Sequence, residues 1–411
     1  MLTAVVHPSP IRVLNRVGAV LRASGLPLVA LTPKGLERRA VRKAGLEDFG
    51  EPDFAQGLAV LCRSAEEDAR LSFFGRLVFH DHVTDALVTR LRRIEARRRM
   101  AEVFRAALVP PLIVLGLPRS GTTLLHRLLA LDEAARAPVL WELQCPIAAP
   151  GPDRRCEDAR RRVARMRKAA PDLDAKHHID ADEPEEDVFL LDSSLSSPSF
   201  WMFAPVYGYL EWYLAQDQRP AYRAYREHLQ LLQAGSPGRR LTLKAPAHTG
   251  NLEALAEVVP EALFVQTHRD PVTVTISVNS LFYTIHGLVT ESVDVRRMAA
   301  VNSELMAALL ERGMAARASV PAQRIFDVRY RALVADPIGT VRGVYSYFGW
   351  PFTSAFEARM ARFMAERPRE SFGKHDYAAE DFGLTQQQLR VRFKVYTDRF
   401  LGGAVDEQKI G

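Results

Sequence analysis

Two glycines and three hydroxyl side chains lie between a short apolar run and the start of a helical pattern. The apolar run, residues 112–115, has the composition of a buried strand. The turn that follows reads GLPRSGTT over residues 116–123, and helical spacing begins at Leu124. A strand, a glycine-rich turn and a helix start direct several backbone N–H groups to one point, which suits a phosphate group. The sequence therefore predicts a phosphate-binding loop over 116–123.

The spacing of this loop resembles the nucleoside-triphosphatase form G-x-x-x-x-G-K-[ST], with one departure. Gly116 and Gly121 hold the glycine positions, and Thr123 holds the hydroxyl position. Thr122 stands where the lysine would be, and the cation of the loop is Arg119. A triphosphatase loop manages several negative charges and a magnesium ion. A transferred sulfuryl group carries less charge, so amides and one or two cations can suffice without a metal. Taken alone, the segment could also be an ordinary glycine turn.

Strand-like and helix-like segments alternate after the loop, which predicts right-handed βαβ units and a parallel sheet. Three further apolar runs have the composition of buried strands: 240–244, 262–267 and 325–330. Ligands of such sheets bind at the carboxyl ends of the strands, where the loop, Lys244, Arg269 and Tyr330 would meet. The predicted fold class is α/β, a P-loop nucleoside-triphosphatase-like fold with a central parallel sheet flanked by helices, plus a helical N-terminal region and a helical insertion.

The order of these features resembles the signature of sulfotransferases that use 3′-phosphoadenosine 5′-phosphosulfate (PAPS). In that family the loop holds the 5′-phosphosulfate, which would assign to the donor Arg119, Ser120, Gly121, Thr122 and Thr123. A strand-end arginine and a serine eight residues later bind the 3′-phosphate, and Arg269 and Ser277 have that spacing. Tyr330 resembles the tyrosine that meets the adenine. The resemblance spans about 113–349 and is strongest for bacterial members with a GLPRSGTTLLH loop and a DEPEE run, here 182–186.

The resemblance also bears on the base that takes the proton of the acceptor hydroxyl. Cytosolic sulfotransferases use a histidine in a K-T-H segment, but this chain reads Lys-Ala-Pro at 244–246. Protein-tyrosine sulfotransferases and some bacterial ones place a catalytic glutamate about twenty residues past the loop, where this chain has Glu142. We therefore expect Glu142 to be the base. The resemblance further implies that Lys244 steadies the transferring sulfuryl oxygens and that Arg119 stabilises the leaving phosphate.

Three histidines are alternative bases. His177 and His178 precede the acidic run and could titrate near neutrality, and His248 is the third candidate. For each of them the plainer interpretation is a surface histidine or a hydrogen-bonded core histidine. The choice between Glu142 and His177 as catalytic residue therefore stays open at this point.

Composition limits the classes of protein that this chain can belong to. It has 411 residues, 47% hydrophobic and 25% charged, and a formal net charge of +6, which fits a small anionic ligand and does not indicate nucleic acid. Cys62, Cys145 and Cys156 form neither a disulfide framework nor a metal-ligand spacing. With no apolar run of spanning length and no secretory signal, we expect a cytoplasmic protein without a metal. The charged runs 154–168 and 180–187 are interpreted as solvated or mutually paired surfaces.

The chain divides into regions by its patterns. We predict a helical N-terminal region over 1–108 and a sulfotransferase domain over 109–411. Within that domain, 151–238 would form a helical insertion that covers the acceptor, and 350–411 would form a C-terminal segment. Nine aromatic residues crowd the stretch from 200 to 225, and some of them could wall an apolar acceptor pocket.

The first predicted helix has two interpretations. Its apolar residues are expected on one face and are Ile11, Val13, Leu14, Val17, Val20 and Leu21. The opposite face would carry Arg12, Asn15, Arg16 and Arg22. The plainer interpretation is a terminal helix packed on the core of the protein. The alternative is a basic amphipathic helix at a membrane surface, beside a lipid-like acceptor.

The predicted function is transfer of a sulfuryl group from PAPS to a hydroxyl of a small apolar alcohol or phenol. Two other classes remain open. A P-loop nucleotide or small-molecule kinase would need the loop lysine and a magnesium-binding acid after a second strand. A non-catalytic nucleotide-binding scaffold would not need to retain Lys244, Arg119, Arg269 and Ser277.

Overall fold

The computed structural model describes residues 7–24, 29–170, 173, 176–366 and 377–402. Within these residues, five parallel strands form one sheet in the order β2-β3-β1-β4-β5. The strands are β1 Leu112–Gly116, β2 Ala135–Arg136, β3 Arg240–Lys244, β4 Leu263–His268 and β5 Ile325–Arg329. The predicted α/β class with a central parallel sheet is therefore confirmed. The short strand β2 was not expected.

The apolar run of β1 is explained by its central place between β3 and β4. Ile113 and Leu115 contribute to the apolar core on one face of the sheet, and Leu112 and Val114 to the core on the other. All five residues of β1 are buried. A central strand of a parallel sheet is covered on both faces, so alternation of apolar and polar residues is lost.

Helices cover both faces of the sheet and form the N-terminal region. In chain order before β3 they are Ser9–Ala23, Pro33–Ala44, Ala55–Glu67, Phe73–Arg99, Ala101–Arg105, Thr122–Leu129, Leu140–Gln144, Arg155–Ala169, Ser199–Phe203, Tyr207–Ala215 and Arg219–Ala234. After β3 they are Leu252–Val258, Pro271–Val289, Val295–Ala316, Tyr330–Ala335, Pro337–Phe348, Ser354–Glu366, Gln386–Arg392 and Lys394–Leu401. Short 3₁₀ segments are Pro52–Phe54, Asp187–Ser194, Pro246–Asn251, Arg317–Ser319, Ala322–Arg324 and Ala379–Phe382.

The N-terminal helices share their core with later parts of the chain. The helices Pro33–Ala44, Ala55–Glu67 and Phe73–Arg99 pack in one apolar cluster with residues 199–215 and the helix Pro271–Val289. Most of the aromatic stretch therefore serves packing, as in the large buried side chains Trp201 and Tyr209.

The helix Pro271–Val289 is the element that carries Ser277, and it is unusually apolar. By length and composition it could cross a membrane, although no apolar run of that length was expected. Just over half of its most apolar stretch is buried inside the protein. Val274, Val278 and Phe282 lie in the shared apolar cluster. It is therefore placed as a core helix.

Several histidines are buried away from water, among them His126, His228 and His286, and burial is the largest cause of the lowered pKa values of these three. Burial lowers the pKa of His286 to about 4, even though its Nε2 pairs with the carbonyl oxygen of Trp201 at 2.9 Å. Burial, followed by the charge of Lys244, lowers the pKa of His126 to about 4. Burial also holds the pKa of His228 well below its ordinary value. All three are neutral in the folded protein near pH 7.

These histidines should make the protein less stable in mild acid. Below about pH 6.5 the unfolded chain binds protons that the folded chain refuses, so the free energy of unfolding falls as pH drops toward 4. For His286 alone the loss from about pH 7 to about pH 5 is on the order of 2 kcal/mol. Urea unfolding across this range should therefore show a smaller pH dependence for His286→Gln than for the wild type. Equal slopes would show that His286 titrates normally in the folded state.

Candidate functional site

The loop after β1 has the backbone of an anion-binding turn. Gly116 and Gly121 have φ values of +126° and +89°, and the helix Thr122–Leu129 starts directly after the second glycine. A Cβ on Gly116 would lie 2.2 Å from Oγ1 of Thr267, so a side chain cannot be accommodated there. Ser120 is buried and donates from Oγ to the carbonyl oxygen of Leu117 at 2.5 Å. The loop is thus closed on itself before the helix begins.

Arg119 takes a left-handed backbone conformation within this loop, with φ +65°. Such a conformation is costly for a residue with a side chain and persists only where the surroundings fix it. Its Nε donates to Oγ of Ser277 at 3.2 Å, and its Nη1 donates to the carbonyl oxygen of Lys176 at 3.1 Å. The predicted residues Arg119 and Ser277 are therefore in direct contact.

Arg269 follows β4 and reaches the same loop. Its Nη1 donates to the carbonyl oxygen of Arg119 at 2.6 Å, and its guanidinium lies 4.1 Å from the centre of the Tyr330 ring. Gly121 sits against Tyr330, because a Cβ there would lie 3.0 Å from the ring. The structure thus brings together the loop, Arg269, Ser277 and Tyr330 at the carboxyl ends of the strands, where the loop, Arg269 and Tyr330 were expected to meet. Their roles in binding stay predictions.

Two like charges meet at this place. Burial lowers the pKa of the Arg119 guanidinium, and the positive charge of Arg269 lowers it further. Holding two guanidinium groups close together in a partly buried position is unfavourable unless an anion is shared between them. The donor set therefore fits an anionic ligand at this place.

Lys244 ends β3 and is almost fully buried, with 1% of its surface exposed. Its Nζ donates to Oε1 of Glu186 at 2.9 Å and lies 3.7 Å from Oε1 of Glu185. Burial alone would raise the pKa of Glu185, but the charges of Lys244 and then His177 outweigh it, so this pKa lies below its usual value. A lysine and two carboxylates therefore form a buried charged group beside the loop.

The charged runs 154–168 and 180–187 were interpreted as solvated or mutually paired, and the pairs Arg160–Asp182 and Arg167–Asp180 confirm the pairing for the first half of the acidic run. The second half differs. Glu185 and Asp187 are buried. Arg127, on the helix after the loop, pairs with Glu183 at 2.6 Å and draws the segment toward the site. Sequence reasoning missed Glu185 and Glu186 as site residues. The DEPEE run held the signal for these two acids. The local sequence does not show their partner, because Lys244 lies 58 residues after Glu186 at the end of a strand.

Glu142, the expected base, lies in the short helix Leu140–Gln144. Its carboxylate forms an ion pair with Arg136 and accepts a hydrogen bond from the backbone N–H of Val139 at 3.1 Å. Among the described residues that line the large cavity below, Leu140 and Gln144 occur but Glu142 does not. The geometry therefore makes Glu142 a helix-capping residue, and its role as the base stays a prediction.

The three candidate histidines differ in their surroundings. His177 lines the cavity, and its Nε2 is 3.8 Å from Oε2 of Glu185. His178 is 3.8 Å from Glu183. His248 is fully buried, with Nδ1 2.8 Å from the hydroxyl of Tyr222 and Nε2 3.3 Å from Asp187. His248 therefore serves to hold neighbouring elements together, whereas His177 faces the site.

A cavity of about 2340 Å³ opens from these charged groups. Its polar end contains Arg119, His177, Glu186 and Arg269. Most of the remaining wall is apolar, with side chains such as Ile11, Phe74, Val78, Trp201, Phe203 and Ile285. The volume is more than twice that of an ordinary small-molecule pocket. Within the described part of the chain, no group of three or more histidine, cysteine, aspartate or glutamate side chains is arranged to hold a metal ion.

Comparison with known proteins identifies a family for this arrangement. The family model described as "Sulfotransferase family" matches residues 110–354. The omega-hydroxy-beta-dihydromenaquinone-9 sulfotransferase Stf3 of Mycobacterium tuberculosis is 29% identical over 314 residues, which cover 73% of this chain and 76% of that protein.

Two solved structures are similar along most of their length. Sulfotransferase STF1 from Mycobacterium tuberculosis H37Rv is 32% identical with a TM-score of 0.77, over 88% of this chain and 98% of STF1. Sulfotransferase STF9 from Mycobacterium avium is 29% identical with a TM-score of 0.83, over 91% of this chain and 98% of STF9. The chain therefore belongs to the sulfotransferase family.

Proposed function

We propose that this protein transfers the sulfuryl group of PAPS to a hydroxyl group of a large, apolar alcohol. The observation that carries this proposal is the continuity of one cavity, which joins the arginine-lined loop to a long apolar wall. A charged donor and an apolar acceptor would then bind in the same space and meet near Lys244.

The donor would be held by the loop on one side and by the arginine that follows β4, with Ser277, on the other. The loop amides and Arg119 suit the 5′-phosphosulfate, and Arg269 with Ser277 suits the 3′-phosphate. The ring of Tyr330 lies against the guanidinium of Arg269 and would contact the adenine of the donor. The guanidinium groups of Arg119 and Arg269 lie close enough that burial, followed by the charge of Arg269, lowers the pKa of Arg119, which supports an anion at this place.

Glu186 is the best-placed base. In the transfer, a bond forms between the acceptor oxygen and sulfur, the bond from sulfur to the 5′-phosphate oxygen breaks, and the acceptor proton goes to a carboxylate. Glu186 lines the cavity and is held by Lys244 at 2.9 Å. Lys244 would stabilise the negative charge on the sulfuryl oxygens, and Arg119 would stabilise the departing phosphate. His177, 3.8 Å from Glu185, remains the alternative base.

The cavity supports a long acceptor. The wall contains aromatic and branched side chains from several regions of the chain, and the volume of the cavity exceeds what a phenol or a short alcohol would fill. The similar protein Stf3 carries a hydroxylated menaquinone in its name. An isoprenoid or similarly long alcohol therefore fits this chain better than a sugar.

Turnover with isotopically labelled PAPS and a graded series of alcohols tests the proposal. We expect kcat/KM to rise by at least about tenfold with each added isoprene unit until the cavity is full, since a buried CH₂ contributes roughly 0.8 kcal/mol. ATP with magnesium and a sugar alcohol serve as controls and should give no product. Preference for a short polar acceptor, or phosphoryl transfer from ATP, would contradict the proposal.

A further inference from the structure

The helix Ser9–Ala23 packs closely on the helix Phe73–Arg99. Oδ1 of Asn15 accepts a hydrogen bond from the backbone N–H of Phe74 at 2.9 Å, next to the N-terminus of the second helix. A Cβ on Gly18 would lie 2.2 Å from Cβ of Phe73, so the helices approach at a glycine. The helix is therefore fixed in orientation, with Ile11 and Gly18 facing inward.

The outward side of this helix carries an apolar stripe. Val13, Val17 and Val20 are 58%, 48% and 66% exposed. They are four and three residues apart and so occupy one face. The prediction of a single apolar face is thus wrong, because the apolar residues divide between two sides and Asn15 lies on the packed one. Single exposed apolar residues are ordinary, but a continuous stripe marks an interaction site.

Basic side chains border the stripe. Arg12 and Arg16 are exposed and lie on the same outer half of the helix as the valines. The helix contains three arginines and no acidic residue. This combination is complementary to a surface that is apolar and negatively charged, as an anionic bilayer is.

The same helix also borders the acceptor cavity. Pro10, Ile11 and Leu14 line the cavity from the inner side of the helix. Leu77 of the neighbouring helix also lines it and is 36% exposed. One helix therefore separates the apolar cavity from the apolar, basic outer stripe.

We infer that the outer face of the helix Ser9–Ala23, formed by Val13, Val17, Val20, Arg12 and Arg16, docks onto an anionic lipid bilayer. The mouth of the cavity would then lie against the membrane, and an apolar acceptor could enter without crossing water. The second half of this inference depends on the proposed function. The docking itself does not.

Vesicle sedimentation tests the docking without donor or acceptor. We expect the wild-type protein to bind phosphatidylcholine vesicles that contain phosphatidylglycerol and to bind far less to phosphatidylcholine alone. Val13→Glu/Val17→Glu should reduce binding at least about tenfold, because each added negative charge near such a surface costs about 1 kcal/mol. The matched control is Met100→Glu/Val395→Glu, which adds the same charges at exposed apolar residues, 41% and 70% exposed, that do not line the cavity. This control should bind like the wild type.

Several outcomes would overturn the inference. Wild-type protein that ignores anionic vesicles would do so, as would stripe variants that bind normally while their melting curves match the wild type. A wild-type dimer in sedimentation velocity that Val13→Glu/Val17→Glu converts to monomers would assign the stripe to a second copy of the chain instead.

Turnover separates this inference from the proposed function. The stripe variant should retain wild-type kcat/KM with a short alcohol in solution and lose about tenfold with a long alcohol embedded in anionic vesicles. Equal loss with both acceptors would contradict docking. Absence of product from the wild type with either acceptor would contradict the proposed function while leaving the vesicle result valid.

Discussion

Replacing Arg269 with alanine should weaken binding of 3′-phosphoadenosine 5′-phosphate by roughly two to three orders of magnitude, since a buried charge pair with phosphate contributes about 2–5 kcal/mol. Arg269 carries two structural duties at once. Its guanidinium would contact the 3′-phosphate, and it already holds the loop through the carbonyl oxygen of Arg119 at 2.6 Å. Both are lost in the variant. Titration calorimetry measures the change directly.

The control for Arg269→Ala is Arg342→Ala, which removes an exposed arginine paired with Glu357 at 2.6 Å. That variant should keep wild-type affinity. Arg269→Lys retains the charge but loses the planar, two-pronged contact, so its affinity should lie between alanine and wild type. Wild-type affinity in Arg269→Ala would place the nucleotide outside this site.

Glu186→Gln should lower kcat by roughly 10²- to 10⁴-fold, the range that positioned general bases contribute. The amide keeps the shape of the side chain but cannot take the acceptor proton. Affinity for 3′-phosphoadenosine 5′-phosphate should change little, because the arginines that would hold the nucleotide are untouched. Single-turnover measurement with labelled PAPS separates the chemical step from product release.

Two matched variants decide which carboxylate acts. Glu142→Gln removes the charge that pairs with Arg136 but keeps an amide oxygen for the N–H of Val139, so it should lower the melting temperature modestly while most turnover per folded molecule survives. Glu185→Gln tests the other carboxylate near Lys244, 3.7 Å away. Full activity in Glu186→Gln together with loss in His177→Gln would assign the base to the histidine.

Much of the donor half of the site could be predicted from sequence because it is local. The glycine turn, the strand ends and the spacing of Arg269 and Ser277 follow from short segments, and parallel strands bring such segments to one edge. The place of Glu142 could not be predicted in this way. The orientation of its side chain is set by Arg136 and by the first turn of a five-residue helix. A helix that short leaves no periodic pattern in the sequence.

Charged and apolar patterns misled the prediction where a distant partner decides. Glu185 and Glu186 look like solvent-facing acids in the sequence, but Lys244 gives them a buried partner. In the first helix, valines face water because Gly18 lets the opposite side approach Phe73. Periodicity alone treats all apolar residues as one set and has no information about which of two faces is covered.

The hydrogen bond from Arg269 to the main chain of Arg119 fixes the distance between the two groups that we propose to bind the phosphates of the donor. It ties the guanidinium that follows β4 to the turn that follows β1, so protein geometry sets the separation of these groups. We therefore expect a ligand to be recognised by the interval between its anionic groups as well as by their charge. Adenosine diphosphate, whose two phosphates are joined at the 5′ position, has a different interval, and we expect it to bind more weakly.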